Sequence, residues 1–167
     1  MNNTRFFLRN PGIAFAVIAF CGAACSESYR STSVQNPVPA VEAVLEISGA
    51  TTVGAGFVVS VRATATQGKV GSFTARIRYD AAALRFDGAI PMDDAAMRAL
   101  NPMPGQLRLA GAAANGFSDG RLASYRFVAL RANGAETLSL VVDEMHLITH
   151  FDAKPTLTIM PSPVISR

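Results

Sequence analysis

His146 and His150 are the only histidines in a chain of 167 residues. Their four-residue separation would place two metal ligands on one face of a helix. The surrounding segment MHLITHF instead alternates like a strand, where four residues span about 13 Å. That is too far for both rings to reach one ion, and Asp143 and Asp152 do not restore the geometry. The carboxylates Asp80, Asp87, Asp93, Asp94 and Asp119 contain the pieces of a glycosidase pair. Asp80, Asp93, Asp94 and Asp119 sit in turn-like sequence, where Asp hydrogen-bonds its own backbone. A calcium ion at Asp93-Asp94 would lack the spaced ligands of a helix–loop–helix site. No G-x-S-x-G nucleophile elbow is present. These residues imply no catalysis, no metal and no cofactor.

Cys25 carries a different chemistry. Arg5 and Arg9 precede an apolar run, Ile13 to Phe20, and small residues CGAA follow at Cys21 to Ala24, the pattern of an export signal. The run is shorter than the roughly 20 residues a spanning helix needs. Gly22-Ala23-Ala24-Cys25 resembles the lipobox of bacterial lipoproteins, although Gly22 stands where Leu is usual. The resemblance implies cleavage after Ala24, a lipid on Cys25, and, with Ser26 next, transfer to the outer membrane. Ordinary cleavage after Ala24, giving a secreted or periplasmic soluble protein, is the alternative. Either cut removes Cys21 and leaves a single thiol, so no disulfide forms within the mature chain. The expected organisation is a signal peptide over 1–24, a flexible tether over 25–41 rich in Ser, Asn and Pro, and a domain over 42–167.

The net charge is +3, and loss of Arg5 and Arg9 leaves 13 basic against 12 acidic residues. A nucleic-acid partner, which calls for a concentrated basic patch, is not expected.

The elements that would position any site are strands. Phe73, Ala75, Ile77 and Tyr79 alternate with Thr74, Arg76 and Arg78, a period of two. Asp80 and three alanines form a corner, and Leu84 and Phe86 restart the pattern. Comparable runs follow Val44, Phe57, Leu107, Ala123, Leu138, Met145 and Leu157, separated by glycine- and asparagine-rich turns. Only Asp93 to Leu100, DDAAMRAL, reads as a short helical turn. The fold class is all-β.

The order GFVVSVRATA, GSFTARIRYDAAALRF, QLRLAGAAANGFSDG, RLASYRFVAL and TLSLVV resembles a cohesin domain, or its relatives among the carbohydrate-binding modules, over Val44 to Met160. The resemblance implies a jelly-roll β-sandwich of about nine strands. It also implies a protein partner, dockerin-like or another envelope protein, held on the outer face of the sheet containing the third, fifth, sixth and eighth strands. Carried over residue by residue, the third strand contributes Arg76 and Arg78 and the fifth Arg108. The sixth contributes Ser124 and Arg126, and the eighth Glu144 and His146. One sheet face would then gather Arg76, Arg78, Arg108 and Arg126. Guanidinium groups make paired bonds with carboxylates, while outward strand positions are commonly charged simply to stay soluble. The sequence contains neither a dockerin, with its paired calcium loops, nor a second copy of the pattern, so a multi-module scaffold is not expected.

The expected function is therefore a non-catalytic cell-envelope lipoprotein presenting a protein-binding module. Polysaccharide binding is the alternative, but the chain has no Trp. Tyr79, Tyr125, Phe57, Phe73, Phe86 and Phe127 fall on inward positions, leaving Tyr29, Phe117 and Phe151 as free rings. An envelope hydrolase is the second alternative.

Overall fold

The alternating runs form strands that pack face to face. The computed structural model describes residues 37–160, and 164–166 by backbone alone. The export segment, Cys25 and Tyr29 lie outside the described residues. The strands are β1 (Val41–Ser48), β2 (Gly56–Ala65), β3 (Val70–Arg78), β4 (Leu84–Ala89), β5 (Met97–Met103), β6 (Gln106–Ala112), β7 (Arg121–Ala129), β8 (Ser139–Leu147), β9 (Leu157–Ile159) and β10 (Val164–Ser166). One sheet has the order β10-β1-β2-β7-β4, with β9 also on β1; the other has the order β5-β6-β3-β8. Together they make a jelly-roll sandwich. Among the described residues the helical elements are short 3₁₀ turns, at Ser118–Gly120, Gly134–Thr137 and Lys154–Thr156.

The inner faces supply the core. Leu45, Ile47, Val59 and Val61 of the first sheet meet Ala75, Ile77, Leu107 and Leu109 of the second, all buried. Each fully buried valine, leucine or isoleucine among them contributes about 1.5–3 kcal/mol. Phe127 anchors an aromatic cluster, with the rings of Tyr79 and Phe86 edge-on at 5.2 and 5.7 Å. The Tyr-Asp corner forms as its sequence implies: Asp80 accepts the Ala82 N–H on its side chain at 2.8 Å, and its carbonyl accepts the N–H groups of Ala83 and Leu84.

The segment expected to turn helically does not. Asp93 to Ala96 is irregular, and Met97 to Met103 is β5, paired antiparallel with β6 from Met97↔Ala112 to Met103↔Gln106. Helix propensities differ by under about 1 kcal/mol per residue, and a full ladder with a neighbouring strand outweighs them. Pro104-Gly105 makes the hairpin turn, with Gly105 at φ +74°, a backbone region that glycine enters without cost.

The other departures are local. β8 ends at Leu147 and His150 lies in a turn at φ +64°, so MHLITHF is a strand end and turn rather than one strand. Phe117, expected to be free, is only 2 % exposed. Its N–H donates to the Val70 carbonyl at 2.9 Å, folding the loop back so that the ring meets Phe73 edge-on at 5.4 Å. Phe151 is half-buried against the core.

Candidate binding face

The outer face of β5-β6-β3-β8 is built from the polar half of each alternation. Register places its side chains in rows across the sheet. Asn101, Arg108, Arg76 and Val141 form one row; Ala99, Ala110, Thr74 and Glu144 the next; Met97, Ala112, Ser72 and His146 a third. Arg78 lies one row further along β3, between Gln106 and Ser139.

Arg76 and Arg108 are direct cross-strand neighbours, a like-charge pairing that is unfavourable on its own. Asp143 offsets it. The Arg76 guanidinium binds the Asp143 carboxylate through two nitrogens, with Nε to Oδ2 at 2.9 Å and Nη2 to Oδ1. This bond raises the Arg76 pKa above its ordinary value against the opposing effect of desolvation. Asp143 reaches Arg76 because the β3–β8 ladder shifts register between Thr74 and Ala75, leaving Asp143 as the extra residue of a bulge. Bulges re-aim side chains in this way. Lys154 Nζ donates to the Asp143 carbonyl, fixing the bulge from outside. With Arg76 neutralised and held, the exposed Arg78 and Arg108 form no ion pair among the described residues.

Of the residues expected to share one face, Arg76, Arg78, Arg108, Glu144 and His146 do so. Ser124 and Arg126 do not. Both are on β7, in the opposite sheet. Ser124 is 7 % exposed, its Oγ 2.9 Å from the Ser60 Oγ, while Arg126 projects to solvent on the far side of the sandwich. The cause is β5: without it Arg108's strand is fifth in chain order and β7 sixth, and with it they are the sixth and seventh.

Arg98 was not legible as a special residue. It lies on β5 with its side chain turned under the sheet. Its Nη1 and Nη2 grip Asp94 at 2.5 and 2.7 Å, and its Nε donates to the Leu122 carbonyl on β7 at 2.6 Å. Its guanidinium carbon sits 5.2 Å from the centre of the Phe117 ring. It thereby clasps the edge of one sheet to the other. The clasp holds the Asp94 carboxyl below its ordinary pKa, chiefly through the hydrogen bonds from Arg98. Beneath it, burial pushes the Tyr125 hydroxyl well above the usual phenol range.

Among the described residues no three of His, Cys, Asp and Glu cluster to hold a metal. No Phe or Tyr stands on the outer face of β5-β6-β3-β8, so its outward rows offer no ring platform for a sugar.

The architecture has solved counterparts. A non-cellulosomal cohesin from the archaeon Archaeoglobus fulgidus superposes with a TM-score of 0.59 at 18% identity, covering 77% of this chain and 92% of that one. The CaDoc0917–CaCohA2 complex, whose CaCohA2 comes from Clostridium acetobutylicum, gives 0.57 at 18% identity over 75% and 99% of the two chains. A cohesin module from a Clostridium perfringens family 33 glycoside hydrolase gives 0.55 at 12% identity over 77% and 100%. The domain has the cohesin fold. No protein-family model matches the chain, and no curated protein matches it. In this cohesin-like sandwich the third, fifth, sixth and eighth strands form one sheet, β5-β6-β3-β8.

Proposed function

We propose that the domain is a non-catalytic protein-binding module that engages an acidic surface through the outer face of β5-β6-β3-β8. The observation that carries this reading is the pair of exposed guanidinium groups, Arg78 and Arg108, which form no ion pair among the described residues and lie beside an Arg76 already fixed by Asp143. A preorganised neighbour and two free forks suit carboxylates on a partner, because arginine binds them bidentately at interfaces. A module of this fold occurs in a complex in the CaDoc0917–CaCohA2 structure, which supports a dockerin-like or other envelope protein as partner. We further propose that a lipid on Cys25 holds the module at the outer membrane of a bacterial envelope, with 25–41 as tether.

Two measurements test these readings. Proteins crosslinked to the domain in envelope extracts are identified by mass spectrometry for wild type, for Arg78→Glu with Arg108→Glu, and for Arg126→Glu. Loss of a partner with the double reversal, and its retention by Arg126→Glu on the far sheet, is expected. Equal capture by all three refutes the face. The intact mass of the mature chain, with membrane fractionation of Cys25→Ser, tests the anchor; an unmodified Cys25 refutes it.

A further inference from the structure

The end of the same face remote from Arg78 has a different chemistry. Here a broad depression of about 790 Å³ lies over the row Met97, Ala112, Ser72 and His146. Its floor is made of small residues, Gly71, Ser72 and Ala112. Two large apolar side chains flank it in solvent: Met97 is 75% exposed and Ile148 is 41% exposed. Gly71 keeps the far wall close, since a Cβ there would lie 3.1 Å from the Ile148 backbone nitrogen. Its polar lining is Ser72, His146 and His150, with no Lys or Arg among the described lining residues.

We infer that this depression seats an apolar side chain from the same partner segment whose carboxylates meet Arg78 and Arg108. The inference rests on the protein-binding reading above and adds a second contact point. Charge complementarity selects the occupant. Among the described residues, the exposed arginines that form no ion pair lie at one end of the face, and the open depression with exposed Met97 and Ile148 at the other. Arg108 and Ala112 are four residues apart on β6, about 13 Å in an extended strand. A segment that is acidic at one point and apolar about 13 Å away satisfies both ends in one orientation. Turned around, it sets a carboxylate over a lining that is apolar apart from Ser72, His146 and His150 and leaves the arginines facing an apolar group, which is costly. The face therefore specifies the direction in which its partner lies. A buried apolar anchor beside a charged contact is also how binding energy concentrates in interfaces.

A random peptide library displayed on phage and selected on the folded domain tests this, with the winning peptides synthesised as the probes. Peptides pairing acidic residues with an apolar side chain at a constant separation are expected. Each should bind at least about tenfold more weakly to Ala112→Arg, which fills the floor, and to Met97→Glu. Met97 is exposed enough that its substitution leaves the fold intact, and thermal melts verify this for both variants. Peptides weakened by reversing Arg78 and Arg108 but bound unchanged by Ala112→Arg and Met97→Glu overturn this inference and leave the protein-binding reading standing. Peptides indifferent to both sets of changes, or a selection that enriches nothing on this face, overturn both.

Discussion

Replacing Phe117 with alanine separates the two accounts of this residue. If Phe117 were a free ring in the NGFSDG loop, its removal would leave stability within the roughly 0.5 kcal/mol of an ordinary surface change. In the structure it is 2 % exposed, edge-on to Phe73 at 5.4 Å and beneath the Arg98 guanidinium at 5.2 Å. Truncating a buried phenylalanine costs about 3–5 kcal/mol through lost transfer energy and a residual cavity. The aromatic pair supplies about 0.5–1.5 kcal/mol of that coupling. For a domain of this size each kcal/mol lowers the melting temperature by about 3–5 °C, so Phe117→Ala should melt about 9–25 °C below wild type. Thermal unfolding followed by circular dichroism, with urea titration of the same variant, provides the measurement. The cost of Phe73→Leu should be smaller in the Phe117→Ala background than in wild type, because the ring pair is then already broken. A Phe117→Ala domain melting within about 3 °C of wild type, under about 1 kcal/mol, would refute the packing argument for this loop.

Further outcomes follow from other contacts. Gly111→Ala places a Cβ 2.5 Å from the Phe73 ring and 3.1 Å from the Phe117 ring, and should destabilise by about 1–3 kcal/mol in the same melts through overpacking. Asp94, whose folded pKa is lowered by Arg98, contributes stability that is present above its unfolded pKa near 3.8 and is lost as pH falls through the folded value. The gap in melting temperature between wild type and Asp94→Asn should therefore close in acid and be widest near neutrality; a gap constant with pH would contradict the clasp. Arg78→Glu with Arg108→Glu should leave the melting temperature nearly unchanged, since neither side chain has an ion-pair partner among the described residues; a large drop would show that they hold the fold rather than present a surface.

The sandwich was legible in the chain because most strands alternate strictly and have one face to bury. Phe73, Ala75 and Ile77 are inward, as their spacing requires. β5 was hidden because its first half, Met97 to Leu100, is made of good helix formers without a β-branched residue, and only pairing with β6 makes it a strand. The Pro104-Gly105 turn between them was the available signal. The consequence reached the site, for one missing strand moved Ser124 and Arg126 to the wrong sheet. The Asp143 bulge also left a trace. Inward positions on β8 run 140, 142, then 145 and 147, and the step of three marks the extra residue that serves Arg76. Arg98 left no such trace, because a charged residue on an inward register is understood only once Asp94, Leu122 and Phe117 are seen around it.

The way the chain enters and leaves the sandwich has a mechanical consequence. β1 runs parallel to both β9 and β10, with Val41 beside Leu157 at one pole and Ser48 beside Ser166 at the other. The segment before β1 is fastened at the first pole: the Ala40 N–H donates to Thr66 Oγ1, and Thr156 Oγ1 donates to the Pro39 carbonyl. Tension drawn between residue 40 and residue 166 therefore slides β1 lengthwise along its neighbours. The register pairs on that edge are loaded together in shear instead of peeling open one by one. Resistance to such a pull is set by the rate of unfolding under load rather than by equilibrium stability.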